Sequence, residues 1–230
     1  MLTKISCNMY YIFYNKKMIN IVYEDEYFLI INKEAGIEVD DSIINLIKKD
    51  YPNIKELFLV HRLDKYTSGI LILAKDNSTK TYFENAFKNR EINKVYHAIV
   101  EGIPKNIKGT IDIQIAKDTN NPNKRIAVKK GGEQAITHYK ILKKFKLHSL
   151  LELKPITGRT HQIRVHLSYL GNPIIGDKIY SKNAKLYNIK SFALIAKEIH
   201  FIHPVTKKNI DIEIKYNKEF LNSLKILSNK

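Results

Sequence analysis

Two short segments of this 230-residue chain concentrate side chains able to do chemistry. The first is His61-Arg62-Leu63-Asp64-Lys65-Tyr66-Thr67-Ser68-Gly69, and the second is Thr157-Gly158-Arg159-Thr160-His161-Gln162-Ile163-Arg164-Val165-His166. Both mix charged groups, imidazoles and hydroxyls with glycines, the composition of a functional site more than of a core strand. Their chemistry would be that of a carboxylate set at a cleft among guanidiniums. Of 39 basic residues only five are arginines, Arg62, Arg90, Arg125, Arg159 and Arg164, and three of them fall in these two segments. In a chain that uses lysine so freely, an arginine marks a place where planar, forked hydrogen bonding is required.

The elements around the segments must position them. Asp64 lies between the apolar run Leu57–Val60 and the strand Ile70–Ala74, which predicts a connecting loop held by sheet on both sides. The alternative is a loop aspartate that makes a local turn and pairs with Arg62 or Lys65. In the second segment Thr160 is the expected N-cap, Gly171 the C′ residue and Pro173 the stop of a helix from about His161 to Leu170. Ile163, Leu167 and Leu170 share one face of it, while His161 and Arg164, three apart, meet at its edge with Arg164 placed to reach inward. The competing picture is a surface helix with both groups solvated. His161 and His166 do not form a metal pair, because a spacing of five sends the rings to different faces and no carboxylate completes the set.

Strand-like runs appear at Tyr27–Ile31, Ile70–Ala74, Val95–Val100, Ile111–Ile115, Ser149–Leu153, Ile199–Ile202 and Ile210–Ile214. Helices are expected at Ser42–Lys49, Ser78–Asn89, Thr160–Leu170 and Lys218–Leu227. Strands outnumber helices without alternating strictly with them, so the fold class is α+β around a mostly antiparallel or mixed sheet. The polar stretch Lys117–Gly132 reads as a turn-rich excursion between strands.

The net charge of +16 is spread along the whole length. It suits a polyanionic partner, and equally a surface that lysines merely keep soluble. Cys7 is the lone cysteine, which excludes an intrachain disulfide and a thiolate-rich metal cluster. The aromatic stretch near Tyr10–Tyr14 is interrupted by Asn8 and Asn15 and makes a poor signal peptide, and no apolar run is long enough to span a membrane. A cytoplasmic enzyme is the expectation.

Taken together, the segments resemble the RluA family of RNA pseudouridine synthases, whose signature is an His-Arg-Leu-Asp stretch leading through Thr-Ser-Gly into an apolar strand. Here His61-Arg62-Leu63-Asp64 continues through Thr67-Ser68-Gly69 to Ile70–Ala74 and Lys75. Further blocks match at Lys94–Gly102 and at Gly158–Leu167 followed by Gly171–Asp177, so that the resemblance runs from about Ile19 through Thr206. It implies a pseudouridine synthase catalytic fold with a cleft across its sheet, acting on ribosomal or transfer RNA without a cofactor or metal. It also implies roles: Asp64 as the essential carboxylate, Tyr96 packed against the target base, and Arg164 as the ion-pair partner that keeps Asp64 charged and oriented. Arg62 would insert into the RNA when the target uridine flips out, and His61, Arg159, His161 and Gln162 would help bind substrate.

The chain departs from the family pattern at four points. Residues 1–18 are too few for the RNA-binding domain that many relatives carry, which leaves a short extension, or a start at Met18, before a catalytic domain over residues 19–230 that works as a monomer. Glu34 stands where the family often has proline, Ala193–Ala196 lacks a common histidine, and Ser181 replaces a common glycine. Two other readings are a non-catalytic RNA-binding protein on the same fold and a metal-dependent nuclease. The intact set Asp64, Tyr96 and Arg164 disfavours the first, and the lack of clustered acids disfavours the second.

Overall fold

The computed structural model describes residues 19–228, so the expectations for Met1–Met18 lie outside the described residues. Along the chain come β1 (Asn20–Glu24), β2 (Phe28–Lys33), α1 (Asp41–Asp50), β3 (Phe58–Leu59), β4 (Ser68–Ala74), α2 (Asn77–Lys88) and β5 (Asn93–Glu101). They are followed by β6 (Lys108–Asp112), β7 (Gln114–Lys117), β8 (Arg125–Val128), β9 (Ile136–Lys144), β10 (His148–Pro155), α3 (Gln162–Tyr169), β11 (Leu194–Ile202), β12 (Asn209–Glu213) and α4 (Lys218–Ser228). Ten strands form one sheet with the path β1-β2-β4-β11-β5-β10-β9-β6, to which β12 adds at β11 and β3 at β4; β7 and β8 make a separate hairpin sheet. Among the described residues β4 with β11 is the one parallel pairing, so the sheet is mixed and mostly antiparallel, as the strand patterns lead one to expect.

Strand β4 is buried along all seven residues, as befits a central strand covered on both faces. On one side Phe28, Phe83 and Phe201 meet edge to face with centroids 5.3 to 5.6 Å apart, which docks α2 on the sheet. Aspartates begin the first two helices: Asp40 accepts the Ser42 N–H at 2.9 Å, and Asp76 accepts the Thr79 N–H at 2.8 Å.

Three expectations need correction. The run Ile111–Ile115 is not one strand; it breaks at Ile113, where the chain leaves β9 as partner and pairs β7 with β8 instead. The excursion Lys117–Gly132 therefore contains β8. Thr160 is not the cap of the third helix: α3 starts one residue later, from His161 in the left-handed region (φ 58°), and no side chain caps it. The turn is closed by Gln162, whose Oε1 accepts the Arg159 N–H at 2.9 Å. At the other end Gly171 (φ +84°) stops the helix as expected, with Asn172 N–H bonded to Leu167 O and Gly171 N–H to Ser168 O.

The parallel pairing depends on Gly69. Its φ is +113°, and a Cβ there would lie 2.3 Å from Ala196 O and 2.6 Å from Ala196 N. Gly69 faces Ala196, which faces Tyr96, which faces Leu153, so one row across four strands ties the loop carrying Asp64 to the tyrosine. Gly69→Ala is expected to cost about 3–5 kcal/mol, from a strained backbone and a clash that only strand separation relieves. Urea denaturation checks this, and a midpoint equal to that of the parent would refute it.

Candidate active site

A cleft of about 470 Å³ opens beside that row, between the loop before β4, the Lys94–Tyr96 edge of β5 and the start of α3. All eight site residues expected from the sequence line it. Asp64 is the one acidic group in its lining, against Arg62, Lys88, Arg90, Lys94, Arg159 and Arg164. Such a cleft concentrates anions around a single carboxylate.

Arg164 is the most constrained of these. It is 4% exposed, in the first turn of α3, and its guanidinium is shared by two carboxylates. Nη1 donates to Asp64 Oδ2 at 3.0 Å, while Nε and Nη2 donate to Asp177 Oδ2 and Oδ1 at 2.7 and 3.0 Å. Its flat face lies 4.5 Å from the Phe192 ring centroid and 5.0 Å from that of Tyr180. Burial works against its charge, but the hydrogen bonds and charge of Asp177, and then those of Asp64, prevail and hold its pKa above the ordinary value. The expected Asp64–Arg164 pairing is present in this geometry, and Asp64 Oδ1 is left without a hydrogen bond among the described residues.

The loop carrying Asp64 is pinned from beneath. Lys33, fully buried at the end of β2, donates to the carbonyls of Glu34, Ile37 and Lys65 at 3.0, 2.8 and 3.1 Å. Burial pulls its pKa down to about 8, against the pull of the Asp64 and Glu34 charges. Gly36 N–H also bonds Lys65 O, at 2.8 Å, and Thr67 N–H bonds Asp64 O at 3.0 Å. The backbone on both sides of Asp64 is thereby fixed.

The remaining expected residues divide by what their polar atoms do. His61 Nε2 accepts the Ile72 N–H of β4 at 2.9 Å and its ring lies 4.6 Å from that of Phe87; burial, and then the Lys94 charge, depress its pKa to about 3. Gln162 is fully engaged: Oε1 accepts from Thr157 Oγ1 and Arg159 N, and Nε2 donates to Ile136 O and Thr137 Oγ1. Arg159 reaches the rim, paired with Glu133 at 2.9 Å and bonded to Gln134 O. Arg62 is exposed and makes no hydrogen bond or ion pair among the described residues. Burial, and then the Asp64 charge, push the Tyr96 phenol well above its ordinary pKa, so it stays protonated at neutral pH. His161 stands 3.9 Å from Asp64 Oδ2 and 2.9 Å from Tyr180 Oη.

Four functional residues escape a reading of the sequence. Asp177 and Tyr180 act on α3 from a loop 13 to 19 positions away, and Lys33 looks like the polar end of an apolar strand. Lys94 is half buried in the cleft with its ammonium 5.7 Å from the Phe87 ring centroid and a pKa lowered by burial. Its signal was available: in a strand, residues two apart share a face, so Lys94 accompanies Tyr96.

The model of the family described as RNA pseudouridylate synthase matches residues 27–169. Ribosomal large subunit pseudouridine synthase C of Buchnera aphidicola subsp. Baizongia pistaciae is 39% identical over 222 residues, covering 90% of this chain and 70% of that protein. Ribosomal large subunit pseudouridine synthase D of Zymomonas mobilis subsp. mobilis is 33% identical over 236 residues, covering 92% of this chain and 74% of that protein. Among solved structures, human RNA pseudouridylate synthase domain containing 4 superposes with a TM-score of 0.76 at 28% identity, covering 90% of this chain and 92% of that one.

Asp177 is 0% exposed and accepts two of the three bonds that Arg164 gives to carboxylates. Asp177→Asn replaces one acceptor by a donor facing a guanidinium, and is expected to destabilise the fold by about 3–5 kcal/mol. Equilibrium unfolding in urea tests this; a variant as stable as the parent would show that the pair does not anchor Arg164.

Proposed function

The chain belongs to the RNA pseudouridylate synthase family, and we propose that its reaction centres on Asp64, held by Arg164 and facing a uridine flipped out of the RNA. The enzyme isomerises uridine to pseudouridine in RNA. The observation that carries the assignment of Asp64 is the shared guanidinium: one Asp64 oxygen is fixed by Arg164, and among the described residues the other makes no hydrogen bond and no other acid lines the cleft. A carboxylate held in this way stays aimed while it acts on the target nucleotide.

The other residues take roles that follow from their surroundings. Tyr96 offers a flat face to the uracil and, being protonated, a hydroxyl instead of a phenolate. Arg62, with no hydrogen bond or ion pair among the described residues, enters the RNA and occupies the space the uridine leaves. Lys88, Arg90, Lys94 and Arg159 meet phosphates at the cleft wall. His61 and Gln162 hold the site together from its own walls, with Lys33 beneath them.

We take the substrate to be large-subunit ribosomal RNA, on the strength of the relatives named for that activity. The reading also takes residues from Ile19 onward as the catalytic domain, working as a monomer in the cytosol. No helix among the described residues is long and apolar enough to cross a membrane.

The test is pseudouridine formation on bulk RNA lacking endogenous modification, with sites mapped by chemical labelling. Asp64→Asn should lower the rate by more than about 1,000-fold while RNA binding persists. Product formed equally by the variant would remove Asp64 from the chemistry, and mapping to transfer RNA alone would overturn the ribosomal assignment. Arg62→Lys should slow modification of a folded RNA by about tenfold or more. An unchanged rate on that substrate would dispose of the insertion role.

A further inference from the structure

The left-handed residue that opens α3 places an imidazole in the lining of the cleft, with one ring nitrogen bonded to Tyr180. Tyr180 Oη accepts the Arg125 N–H at 2.9 Å and lies 2.9 Å from His161 Nδ1. The phenol has one proton to give, and among the described residues His161 Nδ1 is the one acceptor within its reach. Giving that proton to His161 makes Nδ1 the acceptor, and a neutral imidazole then carries its hydrogen on Nε2.

That Nε2–H faces the reaction space. It is 3.9 Å from Asp64 Oδ2, too far for a hydrogen bond, and it has no other partner among the described residues. The His161 side chain lines the cleft and is 16% exposed. A non-glycine residue at φ 58° is uncommon and strained, and here the strain places the ring between Tyr180 and Asp64. Burial, and then the cations Arg164 and Arg125, favour the neutral ring against the opposite pull of Asp64 and Asp177.

We propose that Tyr180 locks His161 as its Nε2–H tautomer, and that this N–H is a neutral donor to a carbonyl oxygen of the target uracil; the second half rests on the pseudouridine synthase reading. In the isomerisation the bond from ribose C1′ to uracil N1 breaks, C1′ joins C5, the C5 proton leaves and N1 gains one. When the first bond breaks, its electron pair departs with the base and spreads over N1 and the carbonyl oxygens. A fixed donor stabilises that charge where it develops. Because the imidazole is neutral, it holds the oxygen without protonating the base and so leaves C5 nucleophilic. Tyr180 is then a positioning residue, acting through His161.

The protonation pattern is read directly by long-range proton–nitrogen correlation on protein labelled with ¹⁵N-histidine, the His161 signals being identified by their loss in His161→Gln. The native enzyme at neutral pH should show His161 as a single Nε2–H tautomer. Tyr180→Phe retains the ring against Arg164 but should convert that signal to a tautomer mixture and lower kcat by about tenfold or more, with KM for RNA nearly unchanged. An Nδ1–H tautomer in the native protein overturns the lock, and this spectrum requires neither the variant nor activity. A locked native tautomer with kcat unchanged in a folded Tyr180→Phe protein that has lost the lock overturns the donor role. Failure of the Asp64 reading would appear elsewhere, as activity surviving in Asp64→Asn, and would leave the spectrum untouched.

Discussion

A guanidinium withdrawn from water must be met by charge and hydrogen bonds on its whole edge, or it destabilises the protein that buries it. Arg164 meets this requirement by holding two carboxylates at once, Asp177 through two nitrogens and Asp64 through one. The asymmetry is what makes a site. Asp177, fully buried and also accepting the Ile179 N–H, acts as the anchor, whereas Asp64 is partly exposed and has one oxygen without a hydrogen bond among the described residues. The rings of Phe192 and Tyr180 packed against it add to that constraint. The pose of the reactive carboxylate is thus set by a cation whose own place is set from behind.

The sheet brings these parts together from distant stretches of chain. Asp64 arrives just before β4 and Arg164 after β10, 100 positions apart, and the path β4-β11-β5-β10 sets those two strands on either side of β5, which carries Tyr96. Insertion of β11 between β4 and β5 requires a close backbone approach, which Gly69 permits. Lys33, at the end of the neighbouring β2, then fastens the same loop through Lys65 O. One topological choice, a parallel pair within an antiparallel sheet, fixes both the width of the cleft and the height of its carboxylate.

The α+β class, the mixed sheet and the two segments that carry Asp64 and Arg164 were legible in the sequence because each rests on a local signal, whereas Tyr96 and its grouping with them came from the family resemblance. Apolar runs mark β4 and β5, and arginine is conspicuous in a lysine-rich chain. What escaped depends on tertiary contact. Nothing near Asp177 or Tyr180 announces that a loop folds back over α3, and nothing in Phe28–Lys33 shows that its last residue is buried against three carbonyls. The start of α3 was misplaced because Thr160 is a good capping residue by type, while Gln162, reaching back to Arg159 and Thr157, made a side-chain cap unnecessary. His61 and Gln162 have polar side chains that face the cleft wall, yet their hydrogen bonds run into the protein, a distinction that residue type alone does not convey.

The cationic lining of the cleft bears on how the enzyme lets go. Uridine and pseudouridine are isomers of equal charge, attached to the same phosphates, so a grip made by lysines and arginines has the same strength before and after the reaction. Nothing electrostatic distinguishes spent RNA from fresh RNA. The product therefore competes with substrate for the same lining.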